Sequence, residues 1–91
     1  MSEIIRIDGQ HQEVLPQDGA CFSLDELQSI VGGMIELVAL NDTETMVVNE
    51  EGKLLNMPYN FEATRIFKNN YPDIEEFIVG DVLICNNEQI K

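Results

Sequence analysis

The chain has 91 residues, with 17 acidic against 5 basic side chains and a net charge of −12 at neutral pH. A chain of this length is ordinarily one domain with one modest core, and 44% hydrophobic content is enough for it to fold. The surplus of carboxylates opposes binding to nucleic-acid phosphates and to anionic membrane surfaces, because both depend on Lys and Arg.

Glu3–Ile7 alternates weakly, with Ile5 and Ile7 on one side, and suits a first strand. Asp8-Gly9 is a hairpin turn pair. His11–Leu15 then returns, and Pro16 stops that strand or places it at an edge. Residues 1–15 therefore read as an N-terminal hairpin.

The clearest helix follows. Ser23-Leu24-Asp25-Glu26 fits a capping box, in which the Ser hydroxyl and the Glu carboxylate satisfy the first free backbone N–H groups. Leu24, Leu27, Ile30 and Val31 form one apolar stripe at helical spacing. Gly32-Gly33 ends the helix, since a C-cap favours left-handed backbone.

Met34–Leu40 is apolar on nearly both faces, which predicts a strand in the middle of a sheet. On that reading Leu37→Asp unfolds the domain. Asn41–Glu44 is a turn, Thr45–Asn49 an antiparallel return, and Glu50-Glu51-Gly52 a second tight turn into a short Lys53–Leu55 strand. Residues 34–55 thus read as a three-strand meander.

Asn60 is a helix N-cap, with a second helix over Phe61–Asn69 and Ala63, Ile66 and Phe67 as its apolar stripe. Asn69-Asn70-Tyr71-Pro72 breaks it, and Asp73–Glu76 fits either a helical turn or irregular chain. Phe77–Cys85 is a closing β segment bent at Gly80. The tail, 86–91, is polar and expected to be loose. The order predicts an α+β domain, residues 1–91, with a mainly antiparallel sheet of four to six strands and two short helices.

Residues 1–52 carry eleven acids and one base, Arg6, for a net −10, whereas residues 53–91 carry six acids and four bases, for −2. Two readings fit that imbalance: carboxylates that keep the chain soluble, or an acidic face that meets a basic protein surface and loosens its hold as salt rises. Cys21 and Cys85 form neither a CxxC pair nor a disulfide framework. The N-terminus lacks a signal-peptide core, and MIELVAL and FIVGDVLIC are too short to span a bilayer, so a cytoplasmic chain is expected.

Evidence for catalysis is thin. His11 is the only histidine, on an edge strand beside Gln10 and Gln12. Cys21 precedes a helix N-terminus, where a thiol pKa can fall, but Cys21-Phe22 also fits a hydrophobic staple. The pairs Asp25/Glu26, Glu50/Glu51 and Glu75/Glu76 are adjacent acids on a helix start, a turn and a loop, and surface exposure explains them more simply than acid–base work. Asn41-Asp42-Thr43-Glu44 and Asn49-Glu50-Glu51 offer hard oxygen ligands without the EF-hand pattern. No phosphate-cradling glycine loop is present.

VGGMIELVAL (31–40), NEEGKLLNMPYN (49–60), EAT (62–64) and IVGDVLI (78–84) occur in an order that resembles a family of small domains of unknown function. That family occurs in bacteria and often on phages, plasmids and other mobile elements. The resemblance covers about two-thirds of the chain, from Leu24 to Ile84. The chain departs from the pattern at Met34, where the family carries an aromatic, and its 69–76 loop is longer than in short members. No activity follows from the resemblance. Its motif residues Asn49, Glu50, Gly52, Asn60, Thr64, Gly80 and Asp81 all read equally as turn, cap and bend positions.

The expectation is thus a non-enzymatic interaction or accessory domain, linked to a mobile element and with no cofactor or metal. The alternative is an acidic DNA mimic that inhibits a basic nucleic-acid-handling host protein, with a small metal-dependent or cysteine enzyme a distant third. The candidate partner-binding residues are Asp42, Glu44, Asn49, Glu50, Glu51 and Asn60. A protein partner of basic character is expected, with a homodimer through strand 34–40 also open.

Overall fold

Two hairpins form from neighbouring sequence, and the last strand joins them. In the computed structural model, which describes residues 2–90, β1 (Glu3–Ile5) pairs antiparallel with β2 (His11–Glu13) across the Asp8-Gly9 turn. Asp8 stabilises that turn by accepting from the Gln10 N–H at 3.0 Å. Met1 of the expected hairpin and Lys91 of the expected tail lie outside the described residues. The second hairpin joins β3 (Ile35–Ala39) to β4 (Glu44–Asn49). β5 (Val82–Asn86) then inserts between β1 and β4, antiparallel to both. The result is one five-stranded antiparallel sheet in the order β2-β1-β5-β4-β3, with two helices, an α+β fold.

Each face of the sheet is covered by one helix. α1 (Leu24–Val31) begins with the capping box the sequence announces, Ser23 and Glu26 each accepting from the other's backbone N–H, and ends at Gly32 with φ of +81°. Its Leu27 and Val31 pack with Phe22, Ile4, Val47, Leu83 and Cys85. α2 (Phe61–Asn70) puts Ala63 and Phe67 on the opposite face with Ile5, Met46, Val48 and Val82. Successive strand residues point to opposite faces, which explains why both Ile4 and Ile5 are buried. Ile7, expected to share a side with Ile5, lies past the strand end and is exposed, as is Leu24 at the start of α1.

Several expectations are corrected. Segment 34–40 is an edge strand, not a central one, with Leu37 half exposed, and the interior strands are β4 and β5. The expected Lys53–Leu55 strand is absent: Leu55 and Asn56 donate their N–H groups to Glu51 and Lys53, and Asn56 sits at φ of +55°, so the chain turns. Asp73–Glu76 is irregular, and the closing strand begins at Val82, past the bend at Gly80. The tail is docked as far as Ile90, through a 3₁₀ turn at Asn87–Gln89 and a parallel bridge to Phe22.

Asn60 joins these parts. It is fully buried; its Nδ2 donates to the carbonyls of Ile5 on β1 and Gly80 at 3.0 and 2.8 Å, and its Oδ1 accepts from the Ala63 N–H at 2.9 Å. One side chain thus ties β1, the bend before β5 and the start of α2. Asn60→Ala removes these three interior hydrogen bonds, to the Ile5 and Gly80 carbonyls and from the Ala63 N–H, and a loss of about 2–4 kcal/mol in urea unfolding is expected. Leu37→Asp, on the solvent edge, is expected to cost less than about 1 kcal/mol in the same measurement.

Candidate functional site

The residues singled out from the sequence fall in three places. Asp42 lies in the β3–β4 turn, and Glu44 opens β4, where its carboxylate accepts from Asn41 Nδ2 at 3.1 Å. Glu50 and Glu51 follow the other end of β4, about 17 Å away along a six-residue strand. The four acids are therefore not one patch. Asn49 and Asn60 are buried and spent on the fold: Asn49 donates to the Val31 carbonyl at 3.1 Å and accepts from the Glu51 N–H at 2.8 Å. Burial keeps Asn60 out of reach of a partner, whereas Asn49, although mostly buried, borders a cleft on the α2 side of β3 and β4.

The other motif residues also hold the chain together. Thr64 Oγ1 accepts from the Ile78 N–H at 2.9 Å. Asp81 accepts from the Ile7 N–H and from Arg6, each at 3.0 Å, and so fixes the first hairpin turn. Gly80 has φ of +75°, and a Cβ there would stand 3.0 Å from Met57 Sδ.

The surface with binding character lies on the α2 side of β3 and β4. α2 crosses the sheet diagonally: Glu62 at its start meets His11 on β2 at 2.7 Å, and the Tyr71 hydroxyl past its end donates to the Ala39 carbonyl on β3. One corner is left uncovered. There a cleft of about 310 Å³ has Val38, Val48 and Phe67 along its base and Leu54, Ile74 and Phe77 along its walls. Glu36, Glu50 and Glu76 also line it.

Lys53 is the one base in the lining. It pairs with Glu76 and lies 4.2 Å from the centre of the Phe77 ring; this ion pair first, and the Phe77 N–H donating to the same carboxylate second, hold the Glu76 carboxyl below its usual range. Glu36 and Glu50 have no ion-pair partner among the described residues. Beside the cleft, Phe77 stacks on Tyr59 at 5.6 Å, and Tyr59 meets Phe61 at 4.5 Å. Leu54 and Phe61 are 82% and 76% exposed.

Asn49 and Glu50, two of the residues singled out from the sequence, line this cleft, but its apolar walls were not foreseen. Phe77 was expected inside a strand, and Leu54 in the strand that does not form. The available signal was a set of apolar side chains in loops around Pro58 and Pro72, where little core lies nearby to cover them.

Among the described residues, neither cysteine is hydrogen-bonded to a basic side chain. Cys85 is buried, which pushes its thiol up to about 11, and Cys21 Sγ donates to the Glu88 carbonyl at 3.3 Å. Among the described residues, no three His, Cys, Asp or Glu side chains are grouped to hold a metal ion, and no helix is long and apolar enough to cross a membrane.

A family model described as a domain of unknown function, DUF3846, matches residues 1–90, and the chain belongs to that family. No curated protein and no solved structure matches it.

One ionic cluster yields a pH prediction. Glu3 and Glu62 flank His11 at 2.9 and 2.7 Å and raise its pKa above 6.5. Arg65 first, and His11 second, hold Glu62 down at about 2. The His11 contribution is complete below pH 6.5 and is lost as pH rises through its raised folded value; that of Glu62 is present above 4.5 and lost on acidification toward 2. Urea midpoints are expected to fall between about pH 5.5 and pH 8.5, and His11→Gln should flatten that fall. The pairs are partly exposed, so the effect is a modest one that salt reduces.

Proposed function

We propose that this domain is a non-enzymatic protein-interaction module of the cytoplasm that takes a basic segment of a partner protein into the cleft beside β3. The carrying observation is the cleft itself: an apolar, aromatic-walled recess lined by two carboxylates, Glu36 and Glu50, that have no ion-pair partner among the described residues. Such a recess suits a lysine or arginine side chain, whose aliphatic stem packs on Val38 and Leu54 while its charged head meets a carboxylate. Lys53 over Phe77 is an example of that contact within the chain itself. A module of this kind, carried on a mobile element, would act by occupying a host protein.

The DNA-mimic alternative draws on the net −10 of residues 1–52. Those acids are dispersed over the first hairpin, the start of α1, the β3 edge and both ends of β4. Dispersal favours a local recess over a phosphate-like array.

The test is retention of lysate proteins on the immobilised chain at low salt, run beside a Glu36→Lys/Phe77→Ser variant and eluted with a salt gradient. Discrete basic proteins should be held by the original chain, leave at moderate salt and be missing from the variant column. Equal retention by both columns would mean that bulk negative charge does the binding and would defeat the cleft reading. A nucleic-acid-handling set held equally by both would favour the mimic.

A further inference from the structure

We infer that the partner segment binds as an extended strand added to the free edge of β3, making a sixth strand whose basic side chains enter the cleft; this rests on the reading of the cleft given above. The backbone supports it. Leu40 donates its N–H to the Glu44 carbonyl, and the Met34 carbonyl accepts from Glu50. In an antiparallel pair this alternation runs the length of the strand, so even-numbered residues face β4 and Ile35, Leu37 and Ala39 turn their N–H and C=O groups outward. The Tyr71 hydroxyl takes the Ala39 carbonyl and closes that end. Two complete donor–acceptor sets, at Ile35 and Leu37, and one further N–H face solvent.

The two edges of the sheet differ. β2 has three residues, all polar and exposed, and Pro16 follows it closely, features that discourage strand addition. β3 has five residues without Lys, Pro or a bulge, and Leu37 is 50% exposed on it. Its faces also specify the occupant. Glu36 and Val38 share the α2 side with the cleft, because their cross-strand partners Val48 and Met46 belong to that cluster. Ile35, Leu37 and Ala39 lie on the other side. An added strand that alternates basic and β-branched residues would set its bases beside Glu36 at the cleft mouth and its apolar residues beside Leu37. A second copy is a poor occupant, since each copy carries −12 and pairing centred on Leu37 would bring two Glu36 carboxylates diagonally together.

The probe is a seven-residue peptide of alternating lysine and valine, titrated at low salt into the full chain while backbone amide shifts are followed by NMR. Shifts are expected at Ile35, Leu37 and Ala39 together with Lys53 and Phe77. The same peptide N-methylated on alternate residues keeps its charge but cannot pair, and should bind at least about tenfold more weakly. Leu37→Pro, which removes an outward N–H without breaking the β4 ladder, should weaken binding comparably.

Equal binding of the methylated peptide, with shifts confined to Lys53, Leu54 and Phe77, would overturn strand addition and leave the cleft reading standing. No binding of either peptide would overturn both. β3 shifts that appear with protein concentration alone, with dimers in sedimentation, would give the edge to a second copy and overturn the proposal.

Discussion

β5 is hydrogen-bonded along both sides, to β1 and to β4, and among the described residues no other strand links the two hairpins. Each hairpin closes locally, but an isolated two-stranded hairpin is marginal in water, and β5 joins the two into one sheet. Val82, Leu83 and Cys85 are fully buried and serve both faces of the sheet, each large apolar side chain contributing on the order of 1.5–3 kcal/mol. The bend that admits β5 is held from outside the strand. Asn60 donates its side-chain amide to the Gly80 carbonyl, Asp81 locks the first hairpin turn, and the N–H groups of Asn60 and Gly80 bond to the Ile78 and Pro58 carbonyls at 2.8 Å. The β1–β5 pairing joins residues about eighty positions apart and makes the fold depend on non-local contacts.

The same arrangement determines what is left open. α2 runs from β2 to β3 and is fastened at both ends, by the His11–Glu62 pair and by Tyr71 on Ala39. A ten-residue helix is about 15 Å long and cannot cover a five-stranded sheet. The uncovered corner is the cleft, and the strand that bounds it is the one with a free edge. Most motif residues thus act at one remove: Asn49, Asn60, Thr64, Gly80 and Asp81 place the strands and loops, while the motif residue Glu50 lines the cleft with Phe77, Leu54 and Glu36.

Local signals were legible in the sequence because they act between neighbours. The capping box at Ser23, the turn at Asp8-Gly9 and the N-cap at Asn60 each satisfy backbone groups within a few residues, and each is formed. Strand order was not legible. An apolar run such as Met34–Leu40 has the composition of a central strand, and only the arrival of β5 beside β4 leaves it at the margin. The N-cap role of Asn60 could be read, but the reach of its amide to Ile5, 55 positions earlier, could not. The cleft was hidden for a related reason. It is assembled from four separate segments, and exposure of Leu54 or Phe77 is decided by which neighbours fail to cover them.

Native-state hydrogen exchange, residue by residue, tests the central claim that β5 is the shared inner strand and β3 the open edge. Amides of Val82–Asn86 and their partners on β4 should exchange only on global unfolding, while the Leu37 amide exchanges orders of magnitude faster. A Leu37 amide as protected as those of β4, or a β5 that opens before the second hairpin does, would contradict the strand order and with it the free edge.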